Sequence, residues 1–374
     1  MYTAPTTVEQ VAEPRRPIAI QAIDYVEFYV GNAKQAAYFF RSGFGFTPIA
    51  YSGPETGMKD RVSYVLEQNE IRFVISTGLS NDHPIAKHVL AHGDGIKDVA
   101  LRVEDVDSIF KEVSSRGAKV IQEPYAVQDE HGVIRKATIG TYGDTVHTFI
   151  QRRSYAGPFA PGYVNREGSA KPVGLKRVDH VVGNVELGKM DEWVNYYQKV
   201  MGFYQLISFD DKDISTEYSA LRSKVVHDGT GRIKFPINEP AVGKRKSQIQ
   251  EYLDFYKGPG VQHLAISTDN IIQTISLLRE RGIEFLNVPD SYYDTLQERV
   301  RNINVNIEEL RRLRILVDRD DKGFLLQLFT KPLVDRPTLF FEIIERQGSE
   351  SFGKGNFRAL FEAIEKEQAL RGNL

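Results

Sequence analysis

The sequence contains no cysteine. Disulfides, thiolate metal sites and cysteine nucleophiles are therefore excluded, and any metal must be held by histidine, carboxylate or water. An excess of one charge sign is also missing. The 48 Lys and Arg residues against 50 Asp and Glu leave a net charge of −2, which gives no general field for nucleic acid. No apolar run approaches the roughly 20 residues of a membrane-spanning helix. The polar opening, Met1 to Arg16, lacks the apolar core of a signal peptide and reads as a disordered lead-in over residues 1–17. The expectation is a cytoplasmic protein with neither nucleic-acid nor membrane partners.

What is present is enough chain for two domains, and the two are related. "IDYVEFYVGN" (Ile23 to Asn32) resembles "VDHVVGNVEL" (Val178 to Leu187), and "GFGF" at Gly43 resembles "VMGF" at Val200. "DGIKDVALRV" (Asp94 to Val103) matches "PGVQHLAIST" (Pro259 to Thr268), and "SRGAKVI" matches "ERGIEFL". His263 follows Asp98 by 165 residues, and Gly282 follows Gly117 by the same 165. A shared offset of this kind marks an internal duplication. The first copy reads as strands over 18–30, 62–67, 71–76, 95–103 and 145–151, with helices over 32–44 and 106–116 that stop at Gly45 and Gly117. A Gly/Pro-rich stretch without period then reads as a linker. The domains fall at 18–153, 154–172 (linker) and 173–374.

The polar differences between the copies are concentrated. Gly258-Pro-Gly-Val-Gln-His-Leu-Ala-Ile-Ser267 reads as a buried strand, and alternation puts His263 on one face with Val261 and Ala265. His180 lies between Val178 and Val182, and Glu342 between Phe340 and Ile344, again on strand patterns. In the first copy the three positions hold Tyr25, Asp98 and Thr148. A single strand histidine is most often an ordinary core or surface residue. Two histidines and a carboxylate on three inward faces suggest a metal site instead, and this set with open positions suits non-haem Fe(II) with dioxygen, although Mn, Co or Zn would also be accepted. His147 is one residue out of phase, and His83, His88, His92 and His131 sit in polar stretches read as exposed.

At "VDHVVGNV", "GPGVQHLA", "LLQLFTKP", "FFEIIERQG" and "GKGNFRALFEAI" the chain resembles the 4-hydroxyphenylpyruvate dioxygenase family of the vicinal-oxygen-chelate superfamily, from about Asp24 to the C-terminus. The resemblance implies an α+β fold of tandem βαβββ modules with curved, barrel-like mixed sheets. It implies one Fe(II) per chain on His180, His263 and Glu342, a 2-oxo acid substrate that also serves as the co-reductant, and O2. Ring hydroxylation with side-chain migration would give homogentisate.

Further roles follow from matched positions. Ser223, Asn238 and Gln248 would meet the phenol end, and Gln327 the metal or oxo acid. Phe329 and Phe357 would sandwich the ring, while Phe340, Asn356 and Gln262 would line the substrate site. Alternation points Gln262 away from the face of His263. Phe357, Leu360, Phe361 and Ile364 fall at helical spacing and read as a lid helix over about 355–370, approached through Gly348, Gly353 and Gly355. Hydroxymandelate synthase, which uses the same substrate and metal, is the rival within the superfamily; Pro236 and the Asn356-Phe357 pair resemble the homogentisate-forming branch. A non-catalytic binding protein of this fold is the rival outside catalysis. A homo-oligomer, dimer or tetramer, is expected.

Overall fold

The computed structural model describes residues 16–210, 216, 218–300 and 305–373; most of the proposed lead-in, residues 1–15, lies outside them. In chain order the first module contains β1 (Ala22–Tyr29), α1 (Ala33–Phe44), β2 (Thr47–Ser52), β3 (Arg61–Gln68), β4 (Ile71–Gly78), α2 (Pro84–His92), β5 (Gly95–Arg102), α3 (Val106–Ser115), β6 (Lys119–Asp129), β7 (Gly132–Gly140) and β8 (Val146–Gln151). A short β9 (Val164–Asn165) follows. The second module contains β10 (Leu175–Asn184), α4 (Met190–Tyr196), β11 (Tyr204–Phe209), β12 (Ala220–His227), β13 (Lys234–Ala241), α5 (Gln248–Tyr256), β14 (Gly260–Thr268), α6 (Ile271–Glu280), α7 (Ser291–Asp294), α8 (Leu296–Arg299), α9 (Ile307–Leu313), β15 (Leu316–Arg319), β16 (Phe324–Phe329), β17 (Phe340–Gln347) and α10 (Phe357–Leu370). Among the described residues no helix is long and apolar enough to cross a membrane.

The duplication is exact in topology. The first sheet runs β6-β7-β8-β5-β1-β4-β3-β2-β9 and the second β15-β16-β17-β14-β10-β13-β12-β11. Apart from β9, each strand of one has its counterpart in the other. β1 and β10 each pair a parallel neighbour, β4 and β13, and an antiparallel one, β5 and β14. Each module is thus two βαβββ units joined along an antiparallel seam. The helices start where polar caps meet amphipathic runs: Asn32 and Asp105 in the first copy and Asn270 in the second each accept a backbone N–H three residues on.

The copies also share a duplicated ion pair. Asp24 on β1 binds Arg152 after β8, at 2.6 Å, and Asp179 on β10 binds Arg346 on β17, at 2.9 Å. Both carboxylates are fully buried, so the pair belongs to the scaffold of both modules.

The two modules share one core. Phe341, next to Glu342 but on the opposite face of β17, packs among Phe40, Phe44 and Phe73 of the first module, with ring centroids 5.3–5.9 Å apart. The first module therefore backs the strand that carries the acid. The stretch 154–172 is not a free tether. β9 pairs with β2, and Phe159 is buried against Tyr25, 5.6 Å between centroids.

Two strand regions (β2 and the β6–β7 hairpin) and α2 were not read from the sequence. α2 also corrects the reading of its histidines. His88 is buried and the His92 side chain is only 12% exposed. The spacing Ile85–His88–His92 turns both rings toward Tyr256 on α5, so a polar composition conceals a packed face. His147 is also buried, with its ring between the Val99 carbonyl and the Tyr197 hydroxyl, away from the second module's acid.

Candidate metal centre

β10, β14 and β17 lie side by side, and their registers set His180, His263 and Glu342 next to one another. His180 stands opposite Ala265, Ala265 opposite Glu342, and His263 opposite Phe340. Glu342 Oε2 is 3.1 Å from His180 Nε2 and 3.5 Å from His263 Nε2, and the three donor atoms lie within 4.8 Å of one another. With metal–ligand bonds of about 2.1 Å, donors at right angles stand about 3 Å apart. All three residues are buried.

The far nitrogen of each ring is committed. His180 Nδ1–H donates to Asp179 Oδ1 at 2.8 Å, and His263 Nδ1–H donates to Gln262 Oε1 at 3.0 Å. Each Nε2 of a neutral ring then presents a lone pair to a carboxylate, which is acceptor against acceptor. Only a proton or a cation between them resolves that contact. This orienting arrangement is the one that metal-ligating histidines use, and the donor set fits a divalent ion. Without a metal, burial would push the Glu342 carboxyl up. The charge and hydrogen bond of His180, with help from His263, instead hold it at about 2. Burial works against a charged His180, but Glu342 and Asp179 outweigh it and raise its pKa. His263 moves the other way, because burial dominates there.

Asp179 is the residue that sequence reasoning missed. It accepts from His180, from both Arg346 Nε and Nη2 at 2.9 Å, and lies 3.1 Å from Lys234 Nζ. Burial raises its pKa, but these donors hold it well below the usual carboxylate range. Gln262, assigned to the substrate by resemblance, does for His263 what Asp179 does for His180. Adjacent strand residues face opposite ways, yet an imidazole Nδ1 reaches back to its predecessor's side chain. The dipeptides Asp179-His180 and Gln262-His263 were a signal for this, and it passed unread.

In front of the three donors lies a cavity of ≈ 80 Å³ lined by Ser223, Asn238, Gln248, Gln262, Gln327, Phe329, Phe340 and Phe357. Every predicted site residue but one is therefore brought together. The exception is Asn356, which is buried below α10, where its Oδ1 accepts from the Tyr292 hydroxyl at 2.7 Å. Gln327 is 1% exposed, and its Oε1 has no hydrogen-bond partner among the described residues. A buried orphan amide calls for a polar ligand.

Phe340 stacks on the His263 ring, 4.8 Å between centroids, and Phe352, not foreseen, meets the His180 ring at 5.1 Å. α10 closes one wall with Phe357, Leu360, Phe361 and Ile364, the spacing read from the sequence. Its far end is held by polar contacts. Buried Glu365 accepts from Thr216 and Ser219 hydroxyls at 2.5 Å, and Arg371 pairs with Glu251 at 2.7 Å. The approach to α10 is likewise pinned. Asp320 accepts from the backbone of Glu350 and Ser351 and from the Ser349 hydroxyl, and it sits at about 2 because these hydrogen bonds outweigh burial.

In the first module the corresponding place holds Tyr25, Asp98 and Thr148. The Tyr25 hydroxyl and the Thr148 backbone N–H both donate to the Asp98 carboxylate. Asp98 is raised to about 7 by burial.

A model of the Glyoxalase/Bleomycin resistance protein/Dioxygenase superfamily matches residues 22–140 and 177–328, one stretch per module. A 4-hydroxyphenylpyruvate dioxygenase of Danio rerio is 50% identical over 362 residues, covering 94% of this chain and 91% of the relative. One of Dictyostelium discoideum is 49% identical over 367 residues, covering 95% and 100%.

The chain belongs to the 4-hydroxyphenylpyruvate dioxygenase family.

Among solved structures, a triple mutant of the 4-hydroxymandelate synthase of Streptomyces coelicolor superposes with a TM-score of 0.85 at 34% identity, covering 94% of this chain and all of that one. The match spans both modules.

Proposed function

We propose that the chain converts 4-hydroxyphenylpyruvate and O2 to homogentisate and CO2, with one Fe(II) held by His180, His263 and Glu342. The observation that carries this reading is the facing set of two lone pairs and a carboxylate at the head of an aromatic cavity; membership of the dioxygenase family supports it. Bound there, ferrous iron supplies an anchor for the oxo acid and the electrons that make dioxygen reactive. Overall, one oxygen atom of O2 enters the ring as the new hydroxyl, the other enters the carboxylate that remains, and the original carboxyl leaves as CO2.

The chain's own groups position and shield. Ser223, Asn238 and Gln248 meet the phenol with uncharged donors and acceptors, which a neutral hydroxyl in an apolar cavity requires. Phe329 and Phe357 hold the ring between aromatic walls. Gln327 donates to, or accepts from, the oxo-acid end. Gln262 and Asp179 keep the two imidazoles in the tautomer that binds metal. α10 keeps bulk water out while the reaction proceeds. Its apolar stripe faces the cavity, and its opening and closing would set access.

The test is incubation with Fe(II), O2 and 4-hydroxyphenylpyruvate, with oxygen uptake recorded and the product identified. Homogentisate with iron-dependent uptake is expected. 4-Hydroxymandelate would move the chain to the synthase reaction, and absence of uptake would make it a binding protein.

A further inference from the structure

A second group of metal donors lies about α2, outside the site above. His88 Nδ1, His92 Nε2 and an Asp144 carboxylate oxygen lie within 4.8 Å of one another. The two histidines are four residues apart on one helix face, and Asp144 comes from the turn between β7 and β8.

The hydrogen bonds impose the same lone-pair conflict as at His180. The Tyr256 backbone carbonyl is an acceptor only, so His92 Nδ1–H must donate to it, at 2.5 Å. His92 Nε2 then faces Asp144 Oδ2 at 3.0 Å, and His88 Nδ1 faces the same oxygen at 3.9 Å. His88 is 7% exposed, and its Nδ1 has no hydrogen-bond partner among the described residues. Its other nitrogen, Nε2, is 3.5 Å from the Tyr256 hydroxyl, which fixes the ring with Nδ1 aimed at Asp144. Tetrahedral donors on bonds of about 2.05 Å stand about 3.3 Å apart, and the two measured separations bracket that value.

The surroundings are rigid. The Tyr256 ring stacks on His92, 4.6 Å between centroids. Arg336 donates to the Ala91 carbonyl at the end of α2 and to the Phe255 carbonyl in α5. Lys97 donates to the Asp144 backbone carbonyl and holds the turn from the other side. Gly143, at φ +58°, passes so close to the Pro259 carbonyl that a side chain there would collide with it.

We propose that His88, His92 and Asp144 bind a divalent transition-metal ion, zinc by its donor set of two imidazoles and a carboxylate, with water completing the shell. Asp144 and α2 belong to the first module, and the Tyr256 carbonyl that orients His92 belongs to the second. The ion therefore fastens the first module's helix and turn at the junction, and Tyr256 lies four residues before the start of the strand that carries His263. Its role is structural: through His92 it ties α2 and the β7–β8 turn of the first module to the Tyr256 carbonyl of the second.

The inference is independent of iron at His180, and the test separates them. Metal-stripped wild type, Glu342→Gln, Asp144→Asn and His92→Gln are dialysed against zinc chloride and analysed for zinc per chain. Asp144 is 57% exposed, so its substitution leaves folding intact, which circular dichroism verifies. Wild type is expected to bind one zinc ion more than Asp144→Asn or His92→Gln. Glu342→Gln is expected to retain that ion and to show a zinc-dependent rise in melting temperature that the double variant with Asp144→Asn lacks. Equal zinc counts in wild type and Asp144→Asn, or no zinc in Glu342→Gln, would overturn the proposal and leave His92 paired with Asp144 through a proton.

Discussion

Replacing Asp179 by Asn separates the scaffold's needs from the metal's. The Asp179 carboxylate is fully buried and holds three groups at once: the His180 ring, Arg346 with a 14% exposed side chain, and Lys234 at 9%. The amide keeps the shape and can still accept from His180 Nδ1–H, but it removes the charge. Arg346 and Lys234 are then left as cations with little solvent to turn to. Breaking a buried pair of this kind costs about 3–5 kcal/mol. A weaker acceptor behind His180 also makes its Nε2 a poorer donor, and losing such an orienting partner lowers metal affinity about 10–100-fold. The internal repeat supplies the control. Asp24→Asn breaks the equivalent buried pair with Arg152, where no metal ligand is attached. Both variants should lose stability in urea denaturation, but only Asp179→Asn should lose Fe(II) affinity, read by anaerobic competition with a chelator. Equal affinities in the two variants would refute the orienting role and reduce Asp179 to scaffold.

Further outcomes follow from the same geometry. Glu342→Ala should abolish metal-dependent turnover while circular dichroism shows a folded chain. Phe341→Ala should cost about 3–5 kcal/mol by opening a hole between the modules, seen as a lower urea midpoint. In the metal-free protein Glu342 titrates at about 2 against an ordinary 4.5. Its contribution is therefore fully present above about pH 4.5 and is lost as pH falls toward 2; acid titration of Glu342→Gln beside wild type should show a shallower loss over that window. Glu365→Ala, which strips two hydroxyl groups of their acceptor under α10, should raise proteolysis at the C-terminal helix without altering metal affinity.

The clustering of His180, His263 and Glu342 was legible because duplication provides its own control. Tyr25, Asp98 and Thr148 keep the strands and drop the chemistry, so the differences at His180, His263 and Glu342 stood out. The strand registers place each pair in equivalent positions. The apolar stripe of α10 was legible because four large side chains repeat at helical spacing. Asn356 was not placed correctly, since a residue beside a cavity-lining Phe357 can as readily turn into the packing beneath the helix. The orienting residues were hidden by strand alternation, which assigns Asp179 and Gln262 to the wrong face even though the histidine rings turn back to them. The junction histidines were hidden by their own polarity. On α2 the packed face is built from Ile85, His88 and His92, and a hydrophobic pattern cannot register two imidazoles as an interior.

The central claim is that one iron ion sits between two imidazoles and a carboxylate of the second module. Crystals grown anaerobically with Fe(II), measured at the iron absorption edge, test it directly. An anomalous peak within bonding distance of His180 Nε2, His263 Nε2 and the Glu342 carboxylate is predicted. Those three side chains well ordered with no peak between them, or the iron bound elsewhere in an active crystal, would contradict it.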